Sequence, residues 1–343
     1  MGLPRAALVV QRAGHHAGAS GYHQLAKHLV AGGTAVEVTH HFPRRGTWRV
    51  TRPLVARSGL TWYGQDACLT EVWAAAITAW RHPVLHFLQG ENSYRYAAVV
   101  PGNPRRRLVA TLHLPPSIFR SYVIPTQHLE RLDAVIVLAR NQLALLDGLR
   151  SPPTAFVVPH GIDVDFFRPP NIVPRDGPCL VVGQWLRDVA TLKVVVREVR
   201  RATPSAGFRL ILPADAVEHW RHRAGVEVLT GLDDLALRRS YQEAALLLMP
   251  LRDCTANNAV LEAMACGLPI VTTDVGGIRD YVDESCACLL PPGKPAAMAE
   301  AVLDLLGDPE RRAAMGRASR ARAEALAWPL VVNQIAAVYE ALR

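Results

Sequence analysis

The segment Pro250–Gly277 reads PLRDCTANNAVLEAMACGLPIVTTDVGG, and it decides the fold. A short apolar run ends at its first proline, and a polar loop leads to an asparagine pair that can begin a helix. We predict a helix over Asn258–Cys266, because Gly267 and Pro269 follow it and both are common just past a helix end. A buried strand and a closing glycine pair come next. Strand, helix and strand in this order predict one unit of a parallel sheet.

The same alternation runs through the whole chain. Helices fit between the apolar runs, for example over Tyr22–Ala31 and Asp233–Glu243. The proline-rich segment Arg168–Pro178 separates two blocks of alternating elements. The pattern therefore predicts an α/β protein with two doubly wound, Rossmann-like domains. The predicted strands are Ala6–Gln11, Ala35–His40, Val84–Leu88, Leu108–His113, Ala134–Leu138 and Phe156–Pro159 in the first block, and Cys179–Val182, Arg209–Leu212, Val226–Leu229, Ala245–Met249 and Pro269–Thr273 in the second.

Length and composition set the class of protein. A chain of 343 residues favours two domains, and a hydrophobic content of 50% excludes a disordered protein. No apolar run approaches the roughly 18–20 residues of a membrane span, and Ala6–Val10 is too short for a signal-peptide core. The six cysteines show no paired spacing, so we expect reduced thiols and a cytoplasmic protein.

Charge is unevenly distributed between the two halves. Residues 1–160 hold 17 Lys and Arg against 7 Asp and Glu, a net of +10, whereas residues 161–343 hold 21 against 23, a net of −2. The first half therefore indicates either an anionic partner, which would be an acidic acceptor or the inner face of an anionic membrane, or an ordinary solvated surface rich in arginine. Nucleic acid is disfavoured, since no zinc finger or RNA-binding motif is present. The basic candidates, expected in one loop region, are Arg44, Arg45, Arg49, Arg52 and Arg57.

The start of the Asn258 helix suits an anion. The first turn of a helix has unpaired amides and a partial positive charge, so it attracts a diphosphate. Glu262 lies one turn further on, where its carboxylate could accept hydrogen bonds from a vicinal diol such as a ribose. An ordinary strand–helix–strand unit with a solvated Glu262 explains the same residues. The residues alone leave both interpretations open.

Asn258–Gly267, the following Leu-Pro-Ile-Val and Gly276–Gly277 resemble the donor-binding signature of glycosyltransferase family 4. These are retaining enzymes of the GT-B fold, in which two Rossmann-like domains face each other across a cleft. The resemblance covers most of the chain and is specific in the second half. Further similar segments are Ala110–Pro116, Leu129–Gln142, Val158–Pro169, Leu289–Gly293 and Val331–Leu342.

The resemblance implies an organisation and an activity. Residues 1–165 would form the acceptor-side domain, residues 166–326 the nucleotide-sugar domain, and residues 327–343 a helix that crosses back to the first. The activity would be transfer of a sugar from a nucleoside-diphosphate sugar to a hydroxyl of a glycan, a lipid or a small molecule. We expect neither a metal nor another cofactor. The family implies front-face transfer, in which the leaving phosphate takes the acceptor's proton.

The resemblance also implies roles for individual residues. Glu262 would hold the ribose, and His113 would contact the donor sugar. Arg187 and Asp253 are the remaining catalytic candidates. The donor-binding candidates are Asn257, Asn258, Ala259, Lys193, Gly276, Gly277, Gly231 and Leu232, and those of the loop that faces the diphosphate and the acceptor are Gly18, Ser20 and Gly21.

Two departures from the family pattern put the activity in question. Cys254 stands where the family has the first glutamate of E-x7-E, with Asp253 beside it. The family's Gly-Arg-Leu and following Lys are replaced by Gly183–Asp188, so that Arg187 and Lys193 are the nearest cations. Three alternatives therefore stay open: a non-catalytic sugar-nucleotide or glycan-binding protein, a sugar-nucleotide epimerase of this fold, and a phosphorylase. The last fits poorly, because the only late lysine, Lys294, lies in a Pro-Gly loop.

Overall fold

The structure, a computed structural model, describes residues 6–10, 18–38, 48–58, 64–123, 126–171, 176–221 and 223–342. Of these, the residues within 1–16, 21–161 and 328–343 form one compact unit, and those within 17–20 and 162–327 form a second. The boundaries expected from the sequence were 165 and 326. Among the described residues, no helix is long and apolar enough to cross a bilayer.

The first unit is built on a parallel sheet. Its strands are β1 (Ala6–Val9), β2 (Ala35–Glu37), β3 (Val84–Phe87), β4 (Arg107–Leu112), β5 (Ala134–Val137) and β6 (Thr154–Val157). They pair in the order β2-β1-β3-β4-β5-β6. Strands β1, β3 and β5 are buried along their whole length, as expected for a sheet covered on both faces. The helices that follow these strands are α1 (His23–Ala31), α2 (Trp48–Arg57), α3 (Gln65–Thr78) and α4 (Pro116–Tyr122).

The helix Trp328–Ala341 also belongs to the first unit. Val331, Ile335 and Val338 recur at helical spacing and are buried in the same core as the residues of β1. Tyr339 adds a polar contact, because its hydroxyl lies 2.7 Å from Nδ1 of His86 on β3. The far end of the chain is thereby held against the sheet that its first strands build.

The second unit repeats the architecture. Its strands are β7 (Cys179–Val182), β8 (Phe208–Ile211), β9 (Val226–Leu229), β10 (Leu246–Met249), β11 (Ile270–Thr273) and β12 (Ala287–Leu290). They form a parallel sheet in the order β12-β11-β10-β7-β8-β9. The chain therefore winds outward from β7 in one direction and from β10 in the other. This is the doubly wound arrangement, with its switch point between β7 and β10. The helices from here to the end of the chain are α5 (Val189–Ala202), α6 (Asp234–Glu243), α7 (Asn258–Ala265), α8 (Pro295–Gly307), α9 (Pro309–Ala325) and α10 (Trp328–Ala341).

The predicted fold class is confirmed. The structure adds one strand that was not predicted, β12, and corrects two further expectations. Arg49, Arg52 and Arg57 lie on helix α2 and not in a loop. The helix was missed because Pro53 lies in its interior, where proline usually marks a break. Strand β6 occupies 154–157 and not the predicted 156–159, because Thr154 already pairs with Ala134 of β5. Arg44 and Arg45 lie outside the described residues.

Candidate functional site

The switch point of the second sheet brings two loops together. The loop after β7 covers residues 183–188, and the loop after β10 covers 250–257. The amide of Asp188 donates to the carbonyl of Pro250 at 2.9 Å, and the amide of Arg252 donates to that of Leu186 at 2.9 Å. Both loops lie at the carboxyl ends of their strands, which is where doubly wound sheets bind ligands.

Helix α7 begins directly after the second of these loops. Asn257 is its N-cap, and the side chain accepts from the amide of Val260 at 3.4 Å. The next bond of the helix runs from Leu261 to the Asn257 carbonyl at 3.1 Å. Within the described part of the chain, the amides of Asn258 and Ala259 have no acceptor. Two donors at the positive end of the helix dipole are therefore available to an anion.

Glu262 lies one turn into α7 and is buried, with 4% of its surface exposed. One carboxyl oxygen accepts a hydrogen bond from Tyr241 of α6 at 2.7 Å, and the other accepts from Ser20. Burial raises the pKa of Glu262 to about 7, although the hydroxyls of Ser20 and Tyr241 favour the charged form and oppose the rise. The sequence did not single out Tyr241, because its contact joins two different helices.

The loop predicted to face the diphosphate reaches the same place. The amide of Ala19 donates to Asp234 at the start of α6 at 2.7 Å. Gly18 lies so close that a Cβ there would be 3.0 Å from the Asp234 carboxylate. Gly21 takes a left-handed conformation, with φ of 105°. The structure thus places Gly18 and Ser20 against α6 and against the carboxylate of Glu262.

Arg187 is a buried cation at the switch point. Its Nε and Nη2 donate to the carbonyl of Val182 at 3.2 and 2.8 Å, and its Nη1 donates to that of Trp185 at 2.9 Å. Among the described residues, no carboxylate lies within ion-pair distance of it. Burial lowers its pKa to about 10, and the nearby Tyr241 and Cys254 raise it, so the guanidinium stays charged at neutral pH. Its positive charge is therefore not neutralised by the described residues.

Cys254 is part of a closed loop and does not replace the missing glutamate. Its thiol is buried, donates to the Val275 carbonyl at 3.3 Å and has a pKa raised to about 12 by burial. Asp253 accepts from the amide of Cys254 at 2.8 Å. Gly276 has a φ of 59°, and a side chain there would collide with the Cys254 carbonyl. The amide of Gly277 donates to that same carbonyl at 2.9 Å. The amide of the donor-binding candidate Gly277 therefore holds this loop, and a role of Gly277 in donor binding stays a prediction.

The remaining donor-binding candidates lie on neighbouring elements. Lys193 lies in the second turn of α5 and is half-buried. Gly231 has a φ of 65° and is exposed, and the half-buried Leu232 follows it just before α6. The role of these three residues in donor binding stays a prediction. Thr255 was read only as a small residue, yet its buried hydroxyl has no partner in the described ranges.

The first unit holds His113 at the carboxyl end of β4. Its Nδ1 lies 3.4 Å from the carboxylate of Glu91, which also accepts from the amides of His113 and Leu114. Burial alone would raise the pKa of Glu91. The hydrogen bonds from His113 and from the amide of Leu114 outweigh burial, so that the pKa of Glu91 is lowered overall. The Glu91 carboxylate orients the ring of His113 with Nδ1 toward itself. The sequence missed Glu91, since no motif marked it.

Aromatic side chains surround this histidine. The ring of Tyr22 lies 3.8 Å from that of His113, between centroids. His160 and Trp328 complete the wall of a cavity of about 20 Å³, which has room for a water molecule but not for a sugar ring. In the described residues, no group of three or more His, Cys, Asp or Glu side chains could hold a metal ion.

The match to a known protein family lies in the second of the two units. Residues 179–308, in the second unit, match the family model described as "Glycosyl transferases group 1". The D-inositol 3-phosphate glycosyltransferase of Segniliparus rotundus is 29% identical over 215 residues, which cover 55% of this chain and 47% of that protein. The enzyme of the same name from Xylanimonas cellulosilytica is 24% identical over 315 residues, covering 81% and 72%. The matched part of the chain thus spans about half the length of the first relative.

Two solved structures share the fold over nearly the whole chain. Sucrose-phosphate synthase from Thermosynechococcus elongatus aligns with a TM-score of 0.71 at 18% identity, covering 99% of both chains. Anabaena Alr3699/HepE in complex with UDP and glucose aligns with a TM-score of 0.69 at 15% identity, covering 98% of this chain and 100% of that one. The predicted GT-B fold and the predicted resemblance to this glycosyltransferase family are confirmed.

Proposed function

We propose that the chain transfers a sugar from a nucleoside-diphosphate sugar to an acceptor hydroxyl, on the premise that residues 179–308 match the family model "Glycosyl transferases group 1". The observation that carries the proposal is the start of α7. Two amides without acceptors, at Asn258 and Ala259, share the switch point with Arg187, a buried cation that no described carboxylate neutralises. A diphosphate supplies the negative charge that this arrangement lacks.

The same donors would assist the chemistry. Negative charge grows on the diphosphate as the bond to the sugar breaks, and fixed donors stabilise that charge without reorganisation. The α7 amides and Arg187 would act in this way, and the buried hydroxyl of Thr255 is a further donor beside them. No metal is needed for leaving-group stabilisation of this kind.

Retention of configuration follows from the family and fits the residues at the site. The Cys254 thiol is buried and protonated, and Asp253 accepts from a backbone amide. Neither is set up as the nucleophile of a double displacement, which needs a free carboxylate beside the anomeric carbon. We therefore propose front-face transfer, with the leaving phosphate taking the acceptor's proton.

The acceptor is expected to bind the basic first half of the chain. The relatives named D-inositol 3-phosphate glycosyltransferases point to a small phosphorylated polyol as the acceptor. The exposed arginines of α2, Arg49, Arg52 and Arg57, suit an anionic acceptor or an anionic membrane surface equally.

A thermal-shift screen against UDP-, GDP- and ADP-sugars tests the donor, because a ligand that binds only the folded protein raises the melting temperature. We expect one nucleotide class to raise it and Glu262→Ala to abolish that rise. Glu243→Ala, an exposed glutamate of α6, is the matched control and should keep the rise. If no nucleotide sugar stabilises the wild-type protein, the proposal is wrong.

A non-catalytic donor-binding protein is the second candidate, and the absence of a carboxylate at Cys254 favours it. The two functions differ in turnover. Incubation of the preferred nucleotide sugar with inositol phosphates, sugar phosphates and glycans, followed by measurement of nucleoside diphosphate release, separates them. Release that depends on an acceptor supports the transferase. Binding without release for every acceptor supports the second candidate.

A further inference from the structure

The two oxygens of the Glu262 carboxyl group have partners of different kinds. Oε2 accepts from the hydroxyl of Tyr241 at 2.7 Å. Oε1 accepts from the hydroxyl of Ser20, which is 242 positions away in the sequence. Both bonds are buried, and both favour the ionised carboxylate. The difference between them lies in how each donor is held.

Tyr241 is fixed within the core of the second unit. None of its surface is exposed, and its ring packs edge-on against that of Phe167, with centroids 6.2 Å apart. It lies in the last turns of α6, which packs against α7. A side chain enclosed in this way keeps its position whether or not a ligand is bound.

Ser20 is held by a short segment without regular structure. The segment 18–20 belongs to the second unit, where the amide of Ala19 donates to Asp234 at 2.7 Å. A serine hydroxyl offers a carboxylate the same donor as a ribose hydroxyl does. Ser20 thus occupies the position that the proposed ribose contact would need.

We propose that Tyr241 is a positioning residue that fixes the carboxylate of Glu262 through Oε2, and that the Ser20 hydroxyl holds Oε1 until a ribose hydroxyl displaces it. The inference rests on the proposed function, because it assigns the ribose to Glu262. It adds two residues to that site and gives them opposite effects. Tyr241 supports nucleotide binding, and Ser20 competes with it.

The titration of Glu262 supplies a second readout. The groups that act on it are Ser20, Tyr241 and Asp234, and Arg187 and Cys266 lie around Tyr241. A carboxylate accepts a ribose hydroxyl best when ionised, so affinity should rise as the pH rises through about 7, the pKa of Glu262. Removing the Tyr241 hydroxyl removes a bond to the charged form and moves this midpoint to higher pH.

Calorimetric titration of the full chain with UDP, between pH 6 and 9, tests the inference. GDP or ADP replaces UDP if it binds more tightly, and inorganic pyrophosphate serves as the probe without a ribose. Ser20→Ala should tighten UDP binding about threefold to tenfold at pH 9, where Glu262 is ionised in the variant and in the wild type. Tyr241→Phe should weaken UDP binding about tenfold at pH 7 and raise the pH midpoint. Pyrophosphate binding should change in neither variant.

Two matched controls separate this role from general packing. Ser240→Ala removes a buried hydroxyl that bonds within α6, and Tyr339→Phe removes a buried tyrosine hydroxyl in the first unit. Neither should alter UDP affinity. Thermal melting checks that each variant is folded.

Three outcomes contradict the inference. UDP affinity that is unchanged or weaker in Ser20→Ala at pH 9 removes the competing role of Ser20. An unshifted pH midpoint in Tyr241→Phe removes the positioning role of Tyr241. A wild-type protein that binds none of the three nucleotides contradicts the proposed function and the inference with it, so the two failures are distinguishable.

Discussion

At the residue scale, the site depends on carboxyl groups whose partners set their charge and direction. Glu262 is buried between two hydroxyls, and its pKa is raised to about 7. Glu91 is equally buried, but it accepts from backbone amides and from His113, and its pKa is lowered. The two glutamates thus serve different purposes. Glu262 titrates near neutral pH, whereas Glu91 stays ionised and orients His113.

Replacing Glu91 by glutamine tests the orienting role. The glutamine side chain of Glu91→Gln keeps one oxygen that accepts hydrogen bonds, but it lacks the negative charge that lies 3.4 Å from Nδ1 of His113. We expect the rate of sugar transfer to fall at least about tenfold, since misplacing a contact group by 1 Å can cost on the order of 100-fold. UDP binding to the second unit should be unchanged. Glu130→Gln, at a half-buried glutamate that accepts from the amide of Arg150, is the control. An unchanged transfer rate in Glu91→Gln would remove Glu91 from the site.

At the element scale, loops that follow the strands build the site, and a few close contacts fix them. The 253–254 loop is held by Gly276 and Gly277, through a backbone hydrogen bond and an approach that admits no side chain. The β7 and β10 loops are joined by two further backbone bonds. These contacts set the start of α7 in place before any ligand arrives.

The close approach at Gly276 gives a stability prediction with an internal control. Gly276 and Gly293 both have positive φ, but only at Gly276 would a side chain collide with backbone. Gly293→Ala should cost about 1 kcal/mol, the penalty of the left-handed conformation. Gly276→Ala should cost roughly 2–4 kcal/mol, because the collision adds to it. Urea unfolding measures both, and equal losses would mean that the loop yields to the added methyl group.

The attachment of α10 to the first sheet depends on pH. His86 bonds Tyr339 at 2.7 Å and Thr111 at 2.8 Å, and burial, with a contribution from His113, lowers the pKa of His86 from 6.5 to about 3. The unfolded chain therefore takes up the proton first, and stability is lost as the pH falls below 6.5.

Unfolding free energies of the wild type and His86→Gln at pH 7.5 and 5.5 check the sign. His86→Gln should be the less stable protein at pH 7.5. The difference in unfolding free energy between the two proteins should narrow by about 1.4 kcal/mol at pH 5.5. The reason is that only the wild type has an imidazole at position 86 that takes up a proton on unfolding. A gap that stays constant would show that His86 does not titrate as its burial implies.

How far the sequence predicted the site depends on the separation of the interacting residues. The start of α7 was predicted to the residue, because an asparagine cap and a following Gly-Leu-Pro are local signals. The bonds from Ser20 and Tyr241 to Glu262 were not predicted, since they join residues 242 and 21 positions apart. Glu91 was missed for the same reason: its role appears only when β3 and β4 place it beside His113.

At the scale of the whole molecule, the charge of the first half fits two kinds of anionic partner. Residues 1–160 carry a net +10, and three of the arginines project from α2 in exposed positions. Each basic residue near an anionic bilayer contributes about 1 kcal/mol to binding. A small phosphorylated acceptor, by contrast, needs no contact with a bilayer.

Co-sedimentation with lipid vesicles separates these partners. If the first half contacts a membrane, anionic vesicles should bind the protein and neutral ones should not. Joint substitution of Arg49, Arg52 and Arg57 by alanine should then weaken the binding about 100-fold. Substitution of the exposed Arg197 and Arg201 of α5 is the control. Equal sedimentation with neutral and anionic lipid contradicts the membrane contact.

The claim on which the rest depends is that a diphosphate binds at the start of α7. A crystal structure of the full chain with UDP, or with the nucleotide that the donor screen selects, tests it directly. We expect phosphate oxygens within about 3.2 Å of the amides of Asn258 and Ala259, and the ribose on Glu262 in place of the Ser20 hydroxyl. A nucleotide bound elsewhere, with those two amides still lacking an acceptor, would contradict the proposed site.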